Sequence, residues 1–544
     1  MTTTLPALQV WPNLKPWLEK EVIEWVDLHF AYFTLTPFFS KNESLESSAL
    51  FLSYLFSASR KGNLCIKIVE NSIFPKLGDS SLSEKILEGI SSLPKELMQK
   101  VSSFERSPTK LICQYRNAFY LQKYWVYETQ IYHHLDRLSK NNSLSFSKLS
   151  DQLNENQKKA IKHCYQSSIT FLLGGPGTGK TFTAGHLISS YRNNYPDHKI
   201  AIAAPTGKAA FELAKKLPGI GKTFTLHSLL NVHPNSRIDF QGSPLDYDLY
   251  IIDEASMIDV KMMALLLSKI KTNAKLVFLG DPNQLPSVEA GSLFSDLSKS
   301  FPLFCVTLQK AVRFENEALY NFSQAVLQKD KATLKRLLHT PSIQLKSWKF
   351  TAQLPDPFLQ YVKRLYITKE NDPLALLQKQ QCFRILSPLR KGPFGIEQIN
   401  KQLFSFLELQ APFSTYFTYP IMISQNREEQ KLFNGMIGIV REKKWSSDDR
   451  KAYFPVQDQV KEFSYASLPR HELAYAISVH KSQGSEYDSV LLVIPPESKM
   501  TSKELFYTAA TRAKKELLIW GNEPQILDSL DNSINRISGR QEIT

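Results

Sequence analysis

The sequence predicts an α/β protein: two parallel-sheet cores, a mainly helical region ahead of them, and a small β insertion in the second core. Three observations carry that expectation. From residue 169 onward, short apolar runs alternate with helical stretches, the pattern of parallel strands joined by crossover helices. The alternation breaks off and resumes near residue 382, which gives two cores instead of one. Residues 1–150 lack it and are rich in aromatic residues at helical spacing. A chain of 544 residues accommodates about three to four domains at roughly 100–200 residues each.

The first 150 residues read as a helical docking domain. EKEVIEWVDLHFAYF carries Val22, Ile23, Val26 and Phe30 on one helical stripe, SSLSEKILEGISSLPKEL follows, and NAFYLQKYWVYETQIYHHLDRL (117–138) repeats the pattern through Trp125, Ile131, Leu135 and Leu138. Trp11, Trp17, Trp25, Phe38 and Phe39 exceed what a small domain can bury, as expected for an interface. A Ser/Asn-rich stretch over 139–156 reads as a linker. The first core is expected over 151–340, with strands in ITFLLGG, KIAIAAP, LYIIDEA and AKLVFLGD. The second is expected over 341–414 and 471–544, with strands in CFRILSPLR, YDSVLLVIP and KELLIWG. Between its halves, 415–470 holds four β-like pieces and reads as a small SH3-like insertion.

Charge narrows the partners. Lys and Arg number 66 against 52 Asp and Glu, a net +14, which favours a polyanion, nucleic acid first. Residues 1–150 hold 17 basic against 14 acidic side chains, so most of the surplus lies on the two cores. Five scattered cysteines form no CxxC or Cys/His cluster, against a local zinc or iron–sulfur site and in keeping with a reducing compartment. No apolar run approaches the ~20 residues of a membrane span, and MTTTLPALQVWPNLKPW lacks the form of a secretory signal. A cytoplasmic protein without a membrane partner is expected.

GGPGTGKT (174–181) fits G-x-x-x-x-G-K-[ST] and stands between an apolar strand and a helical stretch. Gly174, Gly175, Pro176, Gly177, Thr178 and Gly179 would curl the backbone so that N–H groups face the phosphates of ATP, with the helix N-terminus behind them. Lys180 can reach the β- and γ-phosphates and Thr181 can ligate Mg²⁺. LYIIDEA ends a strand in two acids: Asp253 can hold Mg²⁺ and Glu254 can deprotonate the attacking water. VFLGDPNQLPSV ends a third strand beside them, where Gln284 can reach the γ-phosphate or the water.

Together with APTGKAA (204–210), TLHSLL (225–230), LQKAVRF (308–314), AISVHKSQGSEYDSVLLV (476–493) and LFYTAATRAKKELLIWG (505–521), these segments resemble the RecD group of superfamily 1 DNA helicases, the α-subunit family of exodeoxyribonuclease V. The resemblance implies a motor of two RecA-like domains with ATP between them. It implies that Gln157 reads adenine and that Arg313 and Arg512 stabilise charge on the γ-phosphate. It implies that Thr206, His227, His480, Ser482 and Gln483 touch single-stranded DNA or relay nucleotide state. FRILSPLRKGPFGIEQIN resembles a segment of the same group, in which Arg390 and Lys391 can meet backbone phosphates. It further implies 5′→3′ translocation on single-stranded DNA entered from a duplex end, and a heterotrimer with RecB-like and RecC-like subunits in double-strand break repair, with cutting left to a partner. A stand-alone helicase and an ATP-gated DNA-binding module are the alternatives.

Overall fold

The computed structural model describes residues 6–39, 45–76, 80–103, 105–140, 143–146, 149–217, 223–232, 239–291, 293–309, 316–347, 356–367, 370, 372–410, 416–443, 450–456, 459–496 and 501–540. The first core is a six-stranded, wholly parallel sheet. Its strands are β6 (Ile169–Leu173), β7 (Ile200–Ala204), β8 (Thr223–Thr225), β9 (Leu249–Ile252), β10 (Lys275–Gly280) and β11 (Cys305–Thr307), in the order β11-β6-β10-β9-β7-β8. β6, β9 and β10 are buried along their whole length, as a sheet covered on both faces requires. They are neighbours and parallel, so the residues that follow them emerge at one edge.

The region ahead of this core adds a sheet to the expected helices. Helices Trp25–Leu35, Glu46–Arg60, Ser80–Ser91 and Gln122–Ser139 accompany β1 (Cys65–Val69), β2 (Ser72–Phe74), β3 (Met98–Lys100), β4 (Ile112–Tyr115) and β5 (Ala118–Leu121), ordered β2-β1-β5-β4-β3. Trp11 and Trp17 are buried in this domain's own core. Of the aromatics expected to be left over, Trp25 and Phe39 are exposed, and Phe33 joins them at 70%.

The second sheet contains β12 (His339–Thr340), β13 (Ile343–Lys346), β14 (Phe383–Ser387), β20 (Ala476–Ser478), β21 (Tyr487–Val493) and β22 (Ala513–Trp520), ordered β12-β13-β22-β21-β14-β20 and parallel except at β12. Between β14 and β20 the chain forms an antiparallel sheet of β15 (Tyr416–Ile423), β16 (Ile437–Lys443), β17 (Lys451–Val456), β18 (Gln459–Ser464) and β19 (His471–Leu473). Its last strand lies just past the expected limit of 470. Two helices ahead of the expected boundary at 340 pack on the second sheet. Leu319, Phe322, Val326 and Leu334, on helices Glu317–Gln328 and Lys331–Leu337, pack in one cluster with Phe506, Leu517 and Ile519. Their apolar stripes belong to the second core.

The end of the chain returns across all three regions. The Ile534 N–H donates to Glu504 at 2.9 Å and Arg536 Nη1 to the Glu289 and Gly291 carbonyls at 2.8 and 3.0 Å. Ile537 bonds both ways with Asn63 and Leu64, and Arg540 Nη2 reaches the Ser103 carbonyl.

Candidate nucleotide site and its strand-facing loops

The loop after β6 turns on two glycines in the left-handed region, Gly177 at φ +73° and Gly179 at φ +88°, where a side chain is strained. Helix Lys180–Asn194 starts at its end and presents the positive end of its dipole there. The loop is also closely packed. A Cβ on Gly174 would stand 2.5 Å from Thr178 Oγ1, and one on Gly179 would stand 2.8 Å from Gln157 Nε2. Lys180 Nζ donates to the carbonyls of Gly174 and Gly175 at 2.5 and 3.0 Å, which holds its ammonium over the loop. Pro176 and Thr181 are half-buried on the same turn. Gln157 is 3% exposed, and its Oε1 accepts from the Asn154 N–H at 3.1 Å in a capping box. That bond sets its amide against the phosphate loop.

Asp253 and Glu254 follow β9. The Asp253 N–H donates to the Ala203 carbonyl, and Asp253 Oδ1 accepts the Glu254 N–H at 2.8 Å. Glu254 sits at φ +51°, a costly conformation for a glutamate that is kept where the surroundings over-determine it. Burial, then the neighbouring Asp253 carboxylate, push its carboxyl above the usual range, while Arg512, Lys180 and Lys216 pull it down. A raised carboxylate beside cations suits a general base.

Asp281 follows β10 and is fully buried. Its Oδ1 accepts the Asn283 N–H, and its Oδ2 accepts both Gln284 Nε2 at 3.3 Å and the Tyr507 hydroxyl at 2.9 Å. Tyr507 belongs to helix Lys503–Ala510 of the second core, so this bond crosses between the cores. Two others do the same. The Leu285 N–H donates to Thr508 Oγ1 at 2.9 Å, and Gln483 Nε2 donates to the Leu285 carbonyl at 2.8 Å. Arg512 is 3% exposed. Its guanidinium is fixed by the Thr508 and Ser485 carbonyls at 3.0 and 3.1 Å and by Thr511 Oγ1 at 3.3 Å. Gly484, at φ +74°, lets the second core approach so closely that a Cβ there would lie 3.8 Å from Glu254 Oε1. Arg313 lies outside the described residues.

The loops expected to meet DNA divide into two groups. His227 is exposed, and Thr206 is half-buried at the start of helix Gly207–Lys216, where its Oγ1 caps the Ala209 N–H at 3.2 Å. His480 is half-buried, and burial and the nearby Arg536 keep its imidazole below its ordinary range. Ser482 and Gln483 are turned inward. Ser482 is fully buried, with its hydroxyl donated to the Val479 carbonyl at 2.6 Å, and Gln483 is spent on Leu285. Gln483 therefore lies in the seam between the cores, while Ser482 is held within the turn His480–Ser482 that follows β20. Asp281, Tyr507 and Thr508 were not singled out from the sequence, although GDPNQLPSV and LFYTAATRA contain them.

The donor set fits a magnesium nucleotide. A glycine-lined loop, an ammonium held over it and a helix N-terminus suit the phosphates, and Thr181 at the helix start and Asp253 after β9 offer the one or two oxygen ligands that a phosphate-bound Mg²⁺ asks of a protein, since the ion keeps several waters. No group of three or more His, Cys, Asp or Glu among the described residues forms a metal cage, and no helix among them is long and apolar enough to cross a membrane.

Residues 152–347 match the AAA domain family model and residues 473–520 match the UvrD-like helicase C-terminal domain. The chain is 30% identical over 462 residues to the RecBCD enzyme subunit RecD of Mycolicibacterium smegmatis, covering 78% of this chain and 81% of that protein. It is 27% identical over an alignment of 611 positions to the RecBCD enzyme subunit RecD of Buchnera aphidicola subsp. Acyrthosiphon pisum, covering 96% and 99%. It is 29% identical over 379 residues to the ATP-dependent RecD2 DNA helicase of Deinococcus radiodurans, covering 68% of this chain and 49% of that protein.

Proposed function

The chain belongs to the RecD family of ATP-driven DNA helicases, and from that premise we propose that it is the 5′→3′ translocating subunit of a RecBCD-type helicase–nuclease. The observation that carries this reading is the convergence of groups from both cores on one cleft. Lys180, Asp253, Glu254 and Gln284 come from the first, and Arg512 and Tyr507 from the second, and three hydrogen bonds, made by Asp281 and Leu285 of the first with Tyr507, Thr508 and Gln483 of the second, join the cores beside them.

The chemistry follows from the positions. Backbone N–H groups of Gly177–Thr181 and the Lys180 ammonium hold the nucleotide's phosphates, and Gln157 holds the base side. Thr181 and Asp253 would hold Mg²⁺, which when bound offsets phosphate charge. Glu254 takes the proton of the attacking water, Gln284 meets the γ-phosphate or that water, and Arg512 stabilises the charge that develops. Because Arg512 sits on the second core, hydrolysis depends on how the two cores meet, and a strand gripped by both would be advanced by each cycle. Thr206, His227 and His480 are the strand contacts in this reading, and backbone contacts of this kind are sequence-tolerant. Arg313 would be the second cation at the γ-phosphate.

The partners are RecB-like and RecC-like chains, with nuclease activity on one of them, double-strand break repair as the setting and the cytoplasm as the compartment. Residues 1–150 are the docking domain. The test is purification of the tagged chain from its own cells, followed by unwinding of duplexes with a 5′ or a 3′ tail. Co-purification of two larger subunits and a preference of the isolated chain for 5′ tails are expected. A chain that comes alone, or prefers 3′ tails, overturns the reading.

A further inference from the structure

We propose that Asp281 and Tyr507 are positioning residues that make Gln284 an acceptor for the attacking water, and that do so only when the two cores meet. The inference rests on the ATPase reading above and specifies how Gln284 serves it.

A glutamine side chain presents a donor at one end and an acceptor at the other, and its neighbours decide which end faces the reaction. A buried carboxylate settles that choice, because it can only accept. Asp281 is 1% exposed. Its Oδ2 takes Gln284 Nε2 at 3.3 Å, and turning the amide over would set oxygen against oxygen in a buried site. Gln284, 7% exposed, therefore keeps Oε1 as its remaining polar end, and that atom is buried with no hydrogen-bond partner. An acceptor so placed gains from a donor. A γ-phosphate offers only acceptors at neutral pH, whereas the attacking water offers protons. Of the two expectations for Gln284, the geometry favours the water.

Asp281 is itself held from two sides. Oδ1 is fixed by the Asn283 N–H at 3.0 Å, within its own loop. Oδ2 is fixed by the Tyr507 hydroxyl at 2.9 Å, from a helix of the other core. Tyr507 is 2% exposed, and burial followed by the Asp281 charge keeps its hydroxyl protonated, well above the usual range. It is thus a fixed donor to the carboxylate. The same hydroxyl lies over the phosphate loop: a Cβ on Gly175 would stand 2.9 Å from it and 3.9 Å from Asp281 Oδ2. Separating the cores removes this donor and leaves Asp281 to Asn283 and Gln284 alone. The Tyr507–Asp281 bond fixes the Oδ2 that holds Gln284 only in the closed cleft, so the precision with which Gln284 is held depends on closure, while Arg512, five residues beyond Tyr507 on the same segment, responds to the same closure.

The experiment uses the full chain and single-stranded DNA-stimulated ATP turnover. Tyr507→Phe removes one hydroxyl and keeps the ring. It is expected to lower kcat about tenfold, leave KM for ATP within about twofold, and weaken the transition-state mimic ADP–aluminium fluoride without weakening ADP. In a Gln284→Ala background, Tyr507→Phe is expected to cost less than a further twofold. Asp281→Asn, which can meet either end of the amide, is expected to resemble Gln284→Ala. Losses from Tyr507→Phe and Gln284→Ala that multiply independently overturn the proposal, as does a raised KM with unchanged kcat. Failure of the ATPase reading itself is distinguishable, because the wild-type chain would then show no DNA-stimulated turnover in the same assay.

Discussion

The two cores share a parallel sheet and a strand–loop–helix step, yet only one of these steps is built for phosphate. In the first core, β6 runs into a loop that turns on Gly177 and Gly179, and its helix begins at Lys180. In the second core, β14 runs into a loop that also holds a lysine and glycines, Lys391, Gly392 and Gly395, before helix Ile396–Gln410. That loop is already satisfied by its own chain. Ser387 Oγ donates to the Phe394 carbonyl at 2.7 Å, and the N–H groups of Ile396 and Glu397, at the helix start, go to the carbonyls of Leu389 and Arg390. Arg390 pairs with Glu397 at 2.9 Å. Shared architecture therefore does not divide the work between the cores; the chemistry of the loops does. The second core serves the cleft through the helix Lys503–Ala510 and the residues after it.

The sharpest way to break this comparison is to remove both lysines in turn. Lys180→Ala is expected to lower DNA-stimulated ATP turnover about 100-fold or more with the fold intact, as the loss of a preorganised charge at the phosphates. Lys391→Ala is expected to leave turnover at saturating DNA within about twofold, and at most to weaken DNA binding and flatten its salt dependence. Turnover above a tenth of wild type in the first variant, or a matching loss in the second, erases the distinction.

Glu254→Gln comes next. It is expected to bind ATP and DNA while turning over about 100-fold more slowly, since only the base is lost. The raised carboxyl also fixes a sign with pH. As the proposed base, Glu254 must be ionised, so the acid limb of kcat in the wild type is expected at higher pH than an ordinary glutamate would give. The fold bears the cost of ionising a half-buried carboxyl above the unfolded pKa. Glu254→Gln is therefore expected to raise thermal stability at neutral pH, with the gain vanishing below the pKa of an unfolded glutamate. A wild-type acid limb in the ordinary carboxylate range contradicts the role.

A smaller effect is expected from the exposed face of helix Trp25–Leu35. Trp25→Ala with Phe33→Ala removes side chains that are 48% and 70% exposed. ATP turnover is expected to stay within about twofold, while affinity for the partner subunits falls about tenfold, as at interface anchors. Unchanged co-purification assigns the docking surface elsewhere.

What was legible in the sequence was what is local along the chain. The phosphate loop declares itself within eight residues, and Asp253 and Glu254 within one strand end. The bond between Asp281 and Tyr507 joins positions 226 residues apart, and nothing in either segment names the other. Ser482 and Gln483 read from their motif as strand contacts or as relays of nucleotide state, and their burial depends on how the chain turns after β20. The sheet in residues 65–121 was missed because strands of three to five residues are too short to set up a period against the flanking helices. The packing of helices Glu317–Gln328 and Lys331–Leu337 on the second sheet is not legible because an apolar stripe carries no mark of which sheet it covers.

The most direct test of the divided cleft is Arg512→Lys, compared for ATP binding and single-turnover hydrolysis in the presence of single-stranded DNA. Lysine keeps the charge but cannot reproduce the guanidinium fork that Thr508, Ser485 and Thr511 hold. If the first core binds the nucleotide and the second completes the site for hydrolysis, ATP affinity stays within about threefold while hydrolysis falls at least tenfold. If binding and hydrolysis fall together, or hydrolysis is preserved, the second core does not act on the nucleotide as described.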